Sequence, residues 1–242
     1  MILQGKSVLI TGAAKRIGAV IARKLAGAGC RVIIHCHNSV SKAEELLSTL
    51  PGNGHRIITA DLSNEKEVHS LAENAGGVEL LVNSAAIFHR PGSPEDVAAA
   101  GLYHQINFTA SKILLDHLFH QDLPEAAAVN ITDAYALLPG NGAYYQSKKA
   151  LNELTVSLAP VWAEKNFRIN AVAPGPMIPP PWAPESRMEK TLPMIPLKRA
   201  VCPEDLAETV KFLLACDSIT GAIIPVDCGI STKKIKNHPR IQ

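Results

Sequence analysis

Seven short runs dominated by apolar residues punctuate the chain, at 6–11, 31–36, 55–60, 79–83, 127–132, 167–173 and 222–227. Between them lie stretches whose apolar residues recur three and four apart, at 16–29, 40–50, 64–75, 94–121, 142–165 and 203–216. That spacing is the mark of an amphipathic helix. Strands alternating with helices predict βαβ units and a parallel sheet. Within the strands the apolar character is nearly continuous, as in Arg31-Val32-Ile33-Ile34 and Glu79-Leu80-Leu81-Val82. A strand reads this way when helices cover both faces of its sheet. The expected fold class is α/β, a Rossmann-like doubly wound parallel sheet of about seven strands with helices on both faces. No linker or internal repeat divides it, so one domain over residues 1–242 is expected.

One segment breaks the alternation. Prolines crowd the stretch from Pro174 to Pro203, directly after the sixth strand. Ligands of doubly wound sheets bind at that edge, so residues of about 175–202 are expected to form a substrate lid whose prolines limit the entropy lost on closing.

Composition narrows the partners. Of 242 residues, 47% are hydrophobic and 19% charged, enough for a sizeable core and unlike a disordered chain. The formal net charge is +2 and no Lys/Arg run stands out, which argues against nucleic acid or a membrane surface as partner. Lys233, Lys234, Lys236 and Arg240 read as a solvated tail or an oligomer arm. Cys30, Cys36, Cys202, Cys216 and Cys228 form neither a C-x-x-C pair nor a metal-ligand pattern. Scattered thiols of this kind suit a reducing compartment, so no metal and a cytoplasmic location are expected. No signal peptide precedes the first strand, and no apolar run reaches membrane-spanning length.

The chemistry starts in the first turn. Thr11-Gly12-Ala13-Ala14-Lys15-Arg16-Ile17-Gly18 follows a buried strand and opens a helix with Ile17, Val20, Ile21 and Leu25 on one face. Such a turn presents backbone N–H groups and a helix N-terminus to a pyrophosphate. The nearest common pattern is T-G-x-x-x-G-x-G, and Arg16 stands at its middle glycine. The second strand ends His35-Cys36-His37-Asn38-Ser39 without a carboxylate. An NAD site needs an acid there for the ribose 2′-OH, whereas His37, Asn38 and Ser39 are donors able to cradle a 2′-phosphate. NADPH is therefore favoured over NADH.

Further along, Tyr144 and Lys148 form Y-x-x-x-K on a predicted helix, and Tyr145 with Lys149 has the same spacing. An ammonium one turn from a phenol favours the phenolate. Bringing a tyrosine from its ordinary pKa of about 10 to neutrality takes ~3 units, or roughly 4 kcal/mol, a shift expected from Lys148 together with the positively charged nicotinamide of an oxidised cofactor.

These marks, with Asp61-Leu62, Asn83-Ser84-Ala85-Ala86, Asn107, Asn170…Pro174-Gly175 and Thr220-Gly221…Asp227-Cys228-Gly229, make the chain resemble the short-chain dehydrogenase/reductase family along nearly its whole length. The resemblance favours Tyr144 over Tyr145. It implies a nicotinamide cofactor, a relay of Asn107, Tyr144 and Lys148, and a tetramer pairing the helices at 94–121 and 142–165. It further implies that Asp61 holds the adenine amino group and that Asn83 supports the sheet and the cofactor ribose. Asn107 would anchor a water feeding the relay. Gly12, Arg16, Ile17, Gly18, Leu62, Ser84, Ala85, Thr132, Pro174 and Gly175 complete the cofactor side.

Three departures from the ordinary family pattern define a substrate class. Arg16 replaces a glycine, Asp133 in Asn130-Ile131-Thr132-Asp133-Ala134 replaces a serine, and Phe88 follows the Asn83 segment. In this the chain resembles the pteridine reductases. Arg16, Phe88, Asp133, Tyr144 and Pro176 are then expected at the substrate: the phenyl ring stacks on a flat pterin, and Tyr144 and Asp133 deliver protons. Asp133 needs an apolar or anionic setting to be protonated near neutrality. A carbonyl reductase in which Thr132 takes the serine's place, and a non-catalytic NADPH-binding protein, are the alternatives.

Overall fold

Each apolar run of the sequence becomes a strand. The computed structural model describes residues 1–138, 142–179, 182–183 and 186–234; Pro180, Pro181 and Pro184 of the lid and Lys236 and Arg240 of the tail lie outside them. The strands are β1 (Ser7–Ile10), β2 (Arg31–Cys36), β3 (Arg56–Thr59), β4 (Leu80–Asn83), β5 (Ala126–Ile131), β6 (Phe167–Pro174) and β7 (Ile223–Val226). Among the described residues they form one sheet, ordered β3-β2-β1-β4-β5-β6-β7, and every pairing is parallel.

The helices fall on both faces. Helix α1 (Arg16–Gly27), α2 (Val40–Thr49) and α9 (Pro203–Ala215) cover one side, burying Ile21, Leu25, Leu46, Leu206 and Leu213 with Val8 and Ile10 of β1. On the other side α3 (Glu65–Ala75), α6 (Ala110–Phe119) and α7 (Ala143–Ala163) bury Val68, Leu71, Leu114, Leu115 and Trp162 with Leu9 and Leu81. Each such fully buried side chain contributes roughly 1.5–3 kcal/mol. The alternation of Val8, Leu9 and Ile10 between two cores follows from the two-residue period of a strand.

The single helix expected over 94–121 is divided. It runs as α4 (Pro94–Ala98), α5 (Ala100–His104), a π-helical turn (Gln105–Thr109) and α6. The widened turn carries Asn107 inward, where it is fully buried and its carboxamide oxygen accepts from Ile87 N–H at 3.0 Å. Insertions of this type concentrate at functional sites. The proline-rich segment is not wholly irregular either, since it holds α8 (Ser186–Thr191) and a 3₁₀ turn (Leu192–Met194).

Strand order reverses between β1 and β4, whose connections leave on opposite faces. That reversal opens a crevice at the strands' C-terminal ends.

Candidate active site

A cleft of about 690 Å³ occupies this crevice. At one end lies the turn after β1. Gly12 has φ +64°, and a Cβ there would meet Ala85 Cα at 2.9 Å. A Cβ on Gly18 would overlap the Gly12 carbonyl oxygen, so both positions require glycine. Thr11 Oγ1 accepts from Ser84 N–H and Ala85 N–H, each at 3.0 Å, and ties the turn to the end of β4. From beneath, His35 Nδ1 accepts from Gly12 N–H at 3.1 Å while its Nε2 donates to the Ala60 carbonyl at 3.1 Å. Burial drives the His35 pKa down to about 4, which keeps that accepting nitrogen free of a proton.

The N-terminus of α1 faces the cleft with no side-chain cap and no acid in its first turn. By contrast, α3 is capped by Asn64, which accepts from Lys66 N–H at 3.1 Å, and carries Glu65 and Glu67. An uncapped helix start leaves N–H donors and a positive dipole end free for an anion. Lys15, Arg16, Ile17 and Gly18 line this part of the cleft, followed by His37, Asn38, Ser39, Asp61 and Leu62. The donor set suits a dinucleotide phosphate. Asp61 Oδ1 accepts from Ser63 N–H at 2.9 Å and its carboxylate lies 3.9 Å from His37 Nε2; the backbone bond is the main reason its pKa is lowered.

Midway, Ser84, Ala85, Thr132, Pro174 and Gly175 line the walls. Asn83 and Asn107 are not among the lining residues. Asn83 Nδ2 donates to Asn130 Oδ1 at 2.9 Å, and Asn130 Nδ2 donates to Thr155 Oγ1 at 2.9 Å, an arrangement beneath the sheet's surface that bolts β4 and β5 to α7. Asn107 Nδ2 donates to Ser147 Oγ at 3.2 Å. It thus reaches the helix that bears Tyr144 and Lys148.

At the far end Tyr144 O–H donates to Asp133 Oδ2 at 3.1 Å, and Asp133 Oδ1 accepts from Tyr135 N–H at 2.8 Å. Lys148 is 2% exposed and its Nζ donates to the Ile131 carbonyl at 2.8 Å. Lys149 faces outward, 4.0 Å from Glu153. Burial pushes the Asp133 carboxyl up to about 6 against the pull of its hydrogen bonds and of Lys148. Burial also brings Lys148 down to about 8, opposed by Asp133. In the protein alone the Tyr144 phenol is not acidified. Burial first and the Asp133 charge second hold its pKa well above 10, because its hydroxyl faces the carboxylate rather than the ammonium.

An aromatic wall closes this end. Phe88 lies 4.5 Å from the Tyr144 ring, 6.4 Å from Tyr145 and 5.7 Å from Trp182, centroid to centroid. Trp182 Nε1 donates to the Phe88 carbonyl at 3.3 Å. Pro176 lines the lid side and its carbonyl accepts from Val201 N–H at 2.9 Å. Arg16 spans from the phosphate end to the lid, its guanidinium donating to the carbonyls of Ile178 at 2.8 Å and Pro179 at 3.0 Å. Its backbone sits at φ 55°, the left-handed region that explains why glycine is the common residue at this position.

Sequence reasoning missed His35, Tyr135, Trp182 and Arg187. His35 gave a signal as a polar residue inside an apolar strand, and Tyr135 as the second residue after Asp133. Trp182 and Arg187 sit in the proline-rich segment, where α8 is too short for its periodicity to show in the sequence.

A family model described as enoyl-(acyl carrier protein) reductase matches residues 12–231. The 2-dehydro-3-deoxy-D-gluconate 5-dehydrogenase of Bacillus subtilis (strain 168) is 32% identical, over 94% of this chain and 95% of its own. L-xylulose reductase of Bos taurus is 30% identical, over 94% and 97%. The crystal structure of FolM alternative dihydrofolate reductase 1 from Brucella canis, complexed with NADP, superposes with a TM-score of 0.87 at 30% identity, covering 100% of this chain and 99% of that one. The chain belongs to the short-chain dehydrogenase/reductase family and is an NAD(P)-dependent oxidoreductase. Among the described residues no helix is long and apolar enough to cross a membrane.

Proposed function

We propose that the protein is an NADPH-dependent reductase of pterin- or dihydrofolate-like heterocycles. The observation that carries this reading is the pair formed by Tyr144 O–H and a half-buried Asp133 whose pKa is about 6, lying beside the Phe88 ring. Reducing a C=N bond needs a hydride on carbon and a proton on nitrogen. A carboxyl whose pKa is raised to about 6 takes up a proton far more readily near neutrality than an ordinary carboxylate, and joined to a phenol it is a proton source for that nitrogen. The aromatic wall offers a face for a flat ring, with stacking contributing ~0.5–1.5 kcal/mol beyond buried area.

Gly12, Arg16, Ile17 and Gly18 would hold the pyrophosphate, and His37, Asn38 and Ser39 the 2′-phosphate. Asp61 and Leu62 would bound the adenine, and Ser84, Ala85, Thr132, Pro174 and Gly175 the nicotinamide half. When bound, this cofactor supplies the hydride. Lys148 would orient the ribose and Tyr144, while Asn83 and Asn107 would keep the sheet and α7 in place from behind. The printed name of the Brucella relative, an alternative dihydrofolate reductase, supports the substrate class. A carbonyl reductase that uses Thr132 in the serine's role is disfavoured, since the Thr132 hydroxyl is 2% exposed and donates to the Val172 carbonyl at 3.3 Å.

The test is NADPH oxidation with dihydrobiopterin, dihydrofolate and a panel of ketones. Turnover of the pterins is expected; turnover of ketones alone would overturn the substrate class, and none at all would favour a binding protein.

We place the whole chain, residues 1–242, in one domain and in the cytoplasm, in keeping with its free thiols. We also propose a homotetramer. Val97, Leu102, Val156 and Val161 are exposed on the helices expected to pair, and light scattering at working concentration would refute the assembly by returning a monomer.

A further inference from the structure

The substrate end of the cleft is largely aromatic, and among the described residues that line it Arg187 is the cation nearest the aromatic wall. Arg187, on α8, lines it together with Tyr135, Tyr145, Met188 and Thr191. The other cations of the cleft, Lys15, Arg16 and Lys148, belong to the phosphate end and the relay. Arg187 lies over the Trp182 ring, its guanidinium carbon 4.6 Å from the centroid. Trp182 is itself fixed by its hydrogen bond to the Phe88 carbonyl. The guanidinium also stands close enough to Tyr135 and Tyr145 to offset part of the burial that raises both phenols. Among the described residues it forms no ion pair.

A guanidinium stacked on an indole leaves its N–H edge free and oriented, which suits a planar, two-oxygen acceptor. Phe88 and Tyr144 receive the ring of the substrate, so Arg187 faces what projects from that ring toward the lid. Resting on the reading that this is a pterin reductase, we infer that Arg187 is a specificity-determining residue that binds a carboxylate on the substrate's substituent. The site then selects folate-type dihydropterins, which carry a glutamate, over pterins with neutral hydroxyalkyl tails.

The test compares dihydrofolate with dihydrobiopterin in the wild type, in Arg187→Gln and in Arg187→Lys. A charge-assisted pair of this kind is expected to raise the KM for dihydrofolate about 10-fold more than the KM for dihydrobiopterin in Arg187→Gln. Lysine should restore part of the difference. In the wild type the KM for dihydrofolate should climb with salt more steeply than in Arg187→Gln. Calorimetric binding of folate and of its dimethyl ester, with NADP present, reads the same contact without turnover, and the acid should bind about 10-fold tighter. Equal losses for both substrates in Arg187→Gln, or equal binding of acid and ester, would overturn the inference while leaving pterin reduction standing. Failure of both substrates to turn over would overturn the underlying reading, and this one with it.

Discussion

Tyr144 donates its hydroxyl proton to Asp133 Oδ2 across 3.1 Å. The two residues come from different elements, the first turn of α7 and the segment after β5, and 11 positions of sequence separate them. Lys148, one turn further along α7, is engaged with the backbone of β5. The phenol's hydrogen-bond partner is therefore an acid.

Removing the phenol should remove the chemistry. Tyr144→Phe is expected to lower kcat at least about 100-fold, the lower end of general-acid contributions. Fluorescence titration should show NADPH binding within about twofold of the wild type. A near-normal rate would show that the proton comes from elsewhere.

The pH profile should follow Asp133. Its pKa of about 6 means that the protonated fraction falls as pH rises through that value. With a dihydropterin, kcat/KM is expected to decline above about pH 6 on that account. Asp133→Asn should flatten this limb, and Asp133→Ser should slow pterin reduction more than any ketone reduction. Equal losses on both substrate types would reduce Asp133 to a structural turn residue.

Buried His35 and half-buried Asp133 shift stability in opposite directions. The folded-state pKa of His35 is depressed from 6.5 to about 4, so the unfolded chain takes up the proton first. Its contribution is complete above pH 6.5 and is lost as pH falls toward 4. The folded-state pKa of Asp133 is raised from 3.8 to about 6, so the folded chain holds the proton there. Its contribution is complete below pH 3.8 and is lost as pH rises toward 6. Asp133→Ala removes the opposing slope. Thermal melts of that variant should lose Tm on acidification from pH 6 to pH 4 more steeply than the wild type. Parallel profiles would contradict the assignment.

Arg16 holds a left-handed backbone at φ 55°, which costs roughly 1–2 kcal/mol for a non-glycine residue. Arg16→Gly relieves that strain and deletes the two bonds to the lid carbonyls. Tm is expected to stay level or rise, while the KM for cofactor and substrate increases several-fold. A lower Tm with unaltered KM would mean that the guanidinium serves the fold and not the lid.

The sheet was legible because both of its faces are buried, which makes strands such as Arg31–Cys36 nearly all apolar. The phosphate turn was legible for a steric reason, since Gly12 and Gly18 admit no side chain. The break around Asn107 was not, because periodicity in 94–121 continues across a turn that is one residue wider. Phe88 and Asp133 stood out as departures at fixed positions of a known pattern. Trp182 and Arg187 did not, because side-chain direction in this proline-rich segment is set by tertiary contacts such as the bond to Phe88. Spacing alone shows only part of what surrounds Tyr144. Its i+4 neighbour is a lysine, but its hydrogen-bond partner is a carboxylate on another element.

The central claim is hydride delivery to a ring carbon with proton delivery to the adjacent nitrogen. It is tested most directly by running the enzyme with NADPH carrying deuterium at the transferable position of the nicotinamide and locating the label by NMR. One deuterium on a carbon of the tetrahydropterin product, and none at nitrogen, is the predicted result. A pterin recovered without label while a ketone in the same mixture acquires it would contradict the account.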